Sequence, residues 1–225
     1  MTSMSVQLGS LLALVHDRTP EDLRLLDGQY VVVGNCDLMW WVALNIALSV
    51  GEHTELILLS DGDLAEKLAA SLQALRPHMY VYGAPDIRTG LVMLPHTPLF
   101  EDVPASPFVV VLCTHPRTWP ELVRLVLKIY CAVRFWYPLL LCVYCVSDNI
   151  YVVAADTAAI SPRQILRKIS KVAKEVSCGD QGTTLAQVVA ASLATRLLAH
   201  VERERSRRVL VIRTSVSELA QCITR

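Results

Sequence analysis

The clearest chemical signal follows a short β-branched run. Residues 30–34 read Tyr-Val-Val-Val-Gly, and the chain then opens into an apolar stretch of helical spacing. A glycine turn between a strand and a helix is where phosphate binds in the frame G-x-x-x-x-G-K-[ST]. Loop amides and the helix N-terminus donate to the anion, and a lysine adds charge. Here the frame falls on Gly34, Asn35, Cys36, Asp37, Leu38, Met39, Trp40 and Trp41, so only the first glycine matches. Met39 stands where a second glycine would let the backbone approach phosphate. Trp40 stands where the lysine would meet it, and Trp41 where a hydroxyl would hold magnesium. Asp37 adds a negative charge beside the anion's place. Two readings fit these residues: a nucleotide site that has lost its ligands, or a Rossmann-like strand–helix start that never had them.

A second signal is a basic stripe. Over 161–178 the sequence reads as an amphipathic helix with Pro162 at its first position. Ile165, Ile169, Val172 and Val176 follow one stripe and Arg163, Arg167, Lys168, Lys171 and Lys174 another, against a single acid, Glu175. Cations one helical turn apart meet successive phosphates in a salt-dependent, sequence-independent way. The alternative is an ordinary solvated helix face. A further cluster, Arg203, Arg205, Arg207 and Arg208, is diluted by Glu202 and Glu204 and reads as a hairpin turn. Trp136 and Tyr137 stack a base or pack under the sheet. Trp40 and Trp41 either plug a vacated pocket or anchor a partner.

These residues are set on a regular scaffold. Strands are predicted over 30–34, 55–60, 79–82, 108–113, 139–146, 151–154 and 208–213. Helical spacing fills 38–50, 64–75, 119–133 and 162–176, and a further apolar run covers 185–200. Between 85 and 107 prolines punctuate the chain, and only 90–94 looks regular. Alternation of buried strands with helices predicts an α/β domain with a mostly parallel sheet covered by helices. Residues 27–225 are read as one domain and 1–26 as an appended arm.

Composition narrows the classes. In 225 residues, 21 Lys+Arg balance 21 Asp+Glu, so any nucleic-acid site must be local. Residues 1–10 lack the positive start of a secretory signal, and the longest apolar run, 139–146, is well short of the roughly 20 residues that span a bilayer. A soluble, cytoplasmic protein with no membrane partner is expected. Seven cysteines in mostly apolar settings suit buried thiols better than a disulfide framework. Cys142 and Cys145 form a C-x-x-C inside a strand-like run, with no second pair at zinc spacing. No metal or cofactor is expected.

Taken in order, residues 29–214 resemble the core of RecA-type strand-exchange recombinases of archaea and eukaryotes, and in particular a RadA-like recombinase paralog with a degenerate Walker A motif. That family's second strand ends in a Thr-Glu-Gly-like turn whose glutamate activates water, and Ser60-Asp61-Gly62 matches it. Its Walker B strand ends in an aspartate that supports magnesium, and Cys113 takes that place after five apolar residues. The strand ending at Ser147 would lead through Asp148 into a long insertion, placing the basic helix where recombinases contact DNA. Residues 181–187, the run to His200, the basic turn and the last strand complete the order. The family's N-terminal helical domain has no room here, and no clear Phe-x-x-Ala assembly motif is present.

The resemblance implies a RecA-like, three-layer fold with antiparallel strands at its C-terminal end. It implies a pseudo-ATPase without catalytic residues that assists recombination or repair by binding DNA, a recombinase, a paralog or further copies of itself. Two other readings stand beside it. One is an ATPase with an unorthodox loop that uses Asp61 as its acid; the other is a KaiC-like structural or regulatory subunit that binds protein alone.

Overall fold

The computed structural model describes residues 24–34, 36–92, 94, 98–113, 138–156, 182–204 and 210–223, together with positions 121, 124, 127, 163, 164 and 167. The β-branched and leucine-rich runs form β1 (Gln29–Gly34), β2 (Glu55–Leu59), β3 (Tyr80–Ala84), β4 (Phe108–Cys113), β5 (Pro138–Val146), β6 (Asn149–Asp156) and β7 (Leu210–Ser215). The stretches of helical spacing form α1 (Leu38–Ser49), α2 (Leu64–Leu75) and, after α3 (Ile87–Val92), α4 (Thr184–Glu204), whereas α3 and α5 (Val216–Ile223) fall where the spacing predicts no helix.

All seven strands join one sheet in the order β3-β2-β1-β4-β5-β6-β7. The first five run parallel, and β6 and β7 are antiparallel to their neighbours. The chain is therefore a mixed α/β protein with a mostly parallel sheet, as the alternation of elements predicts, and its C-terminal strands are antiparallel. β1 lies at the centre with β2 on one side and β4 on the other. This is the order of doubly wound sheets, in which the strand order reverses beside β1 and opens a crevice at the strands' carboxyl ends.

Both faces of the central strands are covered, which is why they are apolar without alternation. On one face Tyr30, Val32, Val109, Val111, Cys113, Leu141, Val143 and Cys145 share a core with α1, α2 and α4. On the other, Val31, Val33, Val110 and Leu112 are equally buried. There α3 lies so close that a Cβ on Gly90 would stand 2.6 Å from Leu59 Cδ2. The helix α4 is long and apolar enough to cross a membrane by length and composition, but 61% of its apolar window is buried inside the fold.

Local chemistry sets the ends of the elements. Thr183 accepts the Ala186 amide at 3.2 Å and so caps α4, while its hydroxyl donates to Asp148 at 2.9 Å. Ser215 and Glu218 form a reciprocal capping box that starts α5 directly after β7. Arg76 donates to the carbonyls of Ala47 and Val50, at 2.7 and 3.2 Å, and closes the C-terminal end of α1.

Two sequence expectations change. Ser147 and Asp148 are not the mouth of a long insertion but the two-residue turn of the β5–β6 hairpin, in which Val146 faces Asn149 and Ser147 takes a positive φ of 50°. Residues 202–204 continue α4 instead of turning a hairpin, because its apolar face still has the sheet to cover. Residues 24–26, at the end of the expected arm, are bonded to the domain: the Leu25 amide donates to the Ser49 carbonyl at 2.8 Å, and Arg203 donates to the Arg24 carbonyl at 3.0 Å. Residues 1–23 of the expected arm lie outside the described residues, as do Trp136 and Tyr137.

Candidate functional site

The crevice outside the carboxyl ends of β1 and β4 is where a doubly wound sheet takes its ligand. Four of the residues singled out in the sequence meet there. Gly34 and Cys113 are register partners across the β1–β4 ladder. Cys36 donates to the Cys113 carbonyl at 3.6 Å, and Met39, in the first turn of α1, is fully buried. Asn35 lies outside the described residues.

Gly34 explains how this crevice is used. A Cβ added to it would stand 2.3 Å from the Cys113 carbonyl oxygen and 3.2 Å from Met39 Cβ. In a phosphate loop, glycine keeps room for an anion. Here the room is taken by protein on both sides. The side chain above Gly34 is that of Met39; Trp40 and Trp41 are half-buried and packed against the core cluster.

The electrostatics run against an anion as well. Asp37 occupies the N-cap of α1 in helical conformation, its side chain making no capping bond. It places a carboxylate at the end of the helix where a phosphate would be favoured. Cys113, in the place expected for a magnesium-supporting aspartate, is held well above the usual thiol range by burial, with neighbouring Cys36, Cys142 and Cys145 adding to the effect. Burial likewise pushes the Cys145 thiol up to about 12. Neither supplies a thiolate near neutral pH.

Asp61 follows the end of β2 and is exposed, accepting the Ile87 amide at 3.3 Å. It therefore organises the start of α3.

The remaining candidates separate. Cys142 and Cys145 are three apart on one strand, so their side chains leave opposite faces of the sheet. Cys145 joins the α1–α4 core and Cys142 does not. Among the described residues no group of three or more His, Cys, Asp or Glu side chains is placed to hold a metal ion. Arg163 and Arg167 have helical backbone and are exposed, and their spacing puts them on one face. Lys168, Lys171 and Lys174 lie outside the described residues.

Sequence reading passed over one polar cluster at the opposite end of β1. The buried Tyr30 hydroxyl lies 2.7 Å from both the Leu26 carbonyl and Glu202 Oε1. Glu202 had been read as diluting a basic cluster. No spacing signal could have paired two residues 172 positions apart.

No protein-family model matches the chain, and no curated protein matches it. Among solved structures, the crystal structure of selenomethionine-labelled PaaA is similar, with a TM-score of 0.55 at 10% identity over 88% of this chain and 75% of that one. At that identity the likeness is one of fold: a seven-stranded, mostly parallel sheet flanked by helices.

Proposed function

We propose that this chain is a binding subunit built on a nucleotide-binding type of scaffold, without nucleotide chemistry of its own. One observation carries the reading. The space that Gly34 leaves open is occupied by the Cys113 carbonyl and Met39, so the glycine serves strand packing instead of phosphate. In the phosphate-loop frame Trp40, Trp41 and Cys113 supply neither the charge nor the metal ligand, and Asp37 repels an anion. A scaffold kept intact around a closed crevice fits a role in association.

The order β3-β2-β1-β4-β5 is that of dinucleotide-binding sheets, and it favours a Rossmann-type ancestor over a RecA-type one. A recombinase paralog that binds DNA is the second reading, supported by the exposed, one-turn-apart Arg163 and Arg167. The two readings differ in partner but agree on the absence of ATP turnover.

A thermal-shift series with Mg–ATP and NAD tests the first. A ligand present at 100 times its Kd would stabilise by about 2.7 kcal/mol, or roughly 5–10 °C for a chain of this size. No shift at millimolar ligand is expected. Magnesium-dependent ATP turnover that is abolished by Asp61→Ala would instead establish the unorthodox ATPase. Fluorescence anisotropy with single- and double-stranded DNA tests the second reading. Binding that falls with salt and on Arg163→Glu and Arg167→Glu supports it, and no binding at low salt removes it.

A further inference from the structure

Tyr30 stands in a cluster whose protons can be counted. Its Oη is 2.7 Å from the Leu26 carbonyl oxygen and 2.7 Å from Glu202 Oε1, both ordinary O–H···O distances. Each contact needs a proton. The phenol carries one, and the Leu26 carbonyl carries none. With Glu202 ionised, three oxygens share a single proton, and one of the two contacts sets lone pair against lone pair. With Glu202 protonated, every group is satisfied: Oε1–H donates to Tyr30 Oη, Tyr30 O–H donates to the Leu26 carbonyl, and Oε2 accepts the Leu26 amide at 3.1 Å.

We infer that folded Glu202 keeps a proton well above the ordinary carboxylate range, and that this proton closes a latch between the last turn of α4 and the backbone leading into β1. Its loss as the pH rises to neutrality opens the latch. The surroundings agree with the geometry. Burial drives the Glu202 carboxyl up to about 7, against lowering contributions from Tyr30, the Leu26 amide and Arg203. Burial and the Glu202 carboxyl in turn hold the Tyr30 phenol well above its usual range, with Asp27 adding to the effect from the lead-in segment. Arg203 is the cation facing Glu202 from its own helix, and it is also engaged with the Arg24 carbonyl. The latch therefore grips Leu26 by both its amide and its carbonyl, next to the point where residues 1–23 join the domain. A proton on one carboxyl decides how firmly that junction is held.

Carboxyl 13C NMR of the full chain gives the test. The Glu202 resonance is identified by its disappearance in Glu202→Gln, or by its displacement in Glu202→Asp should the amide variant not fold. A titration midpoint between about pH 6 and 8 is expected, and a midpoint in the ordinary carboxylate range near pH 4 overturns the inference. Native-state hydrogen exchange at the Leu26 amide, corrected for intrinsic rates, reads the opening itself. Protection should fall roughly tenfold per pH unit between the ordinary carboxylate range and the midpoint and level off above it, as one linked proton requires. It should stay flat in Glu202→Gln, whose amide nitrogen donates permanently to Tyr30. A flat wild-type profile, or the same fall in the variant, refutes the latch.

Discussion

Replacing Gly34 with alanine separates a glycine kept for packing from one kept for a ligand. The added methyl would lie 2.3 Å from the Cys113 carbonyl oxygen, 3.3 Å from its carbon and 3.2 Å from Met39 Cβ. A comfortable carbon–oxygen contact is about 3.3 Å, so β1 and β4 must part by about 1 Å at this rung. They are central neighbours, and β1 is held on its other edge by the Val33–Leu59 pairing with β2. Opening one side therefore strains the other. Overpacking of a rigid core together with a weakened ladder bond costs about 2–4 kcal/mol. For 225 residues that lowers Tm by roughly 5–15 °C. Gly62→Ala is the control. Its φ of +91° strains an alanine, but nothing lies within 4 Å, so a loss of about 1 kcal/mol is expected. Urea melts of both variants, read by circular dichroism, decide the matter. If Gly34→Ala costs no more than Gly62→Ala, the crevice has room and the packing account of Gly34 is wrong.

Met39→Ala should cost about 2–5 kcal/mol, as expected for a buried large-to-small change. It should leave Mg–ATP binding undetectable by calorimetry, since Trp40, Trp41 and Cys113 supply no ligand even when the crevice is opened. The folded-state pKa of Glu202 is raised from the ordinary 4.5 to about 7, so its stabilising contribution is complete below pH 4.5 and is lost as pH rises to about 7. The gap corresponds to about 3 kcal/mol, and denaturant melts at pH 4.5, 6 and 7.5 should show it as a wild-type loss that Glu202→Gln lacks. Burial raises the Glu55 carboxyl as well, in the same direction, which is why the comparison with Glu202→Gln isolates the effect. Native alkylation at pH 8 followed by mass spectrometry should leave Cys113 and Cys145 unmodified under conditions that label both in urea; rapid labelling of either in the folded protein contradicts their burial.

The sequence by itself determined the elements. Runs such as Tyr30 to Gly34 and Phe108 to Cys113 are apolar without alternation, and only a strand covered on both faces tolerates that pattern, so their place inside a parallel sheet was legible. That the phosphate-loop frame at Gly34 carries no lysine, hydroxyl or acid in the expected places was equally legible, because that motif is local. The first turn of α5 was not: its start rests on the Ser215–Glu218 capping box, and the helix has only eight residues, too few to announce a period. The tight β5–β6 turn was missed because Ser147 supplies a positive φ usually signalled by glycine or asparagine.

What only the tertiary structure decided is adjacency between distant segments. The sheet order puts Cys113 beside Gly34 and leaves Met39, rather than either tryptophan, above the glycine. It also brings Glu202 to Tyr30 across 172 positions. Periodicity records which way a side chain faces relative to its own strand or helix. It carries nothing about which strand lies next door, and the packing around Gly34 and the Tyr30–Glu202 contact both depend on that.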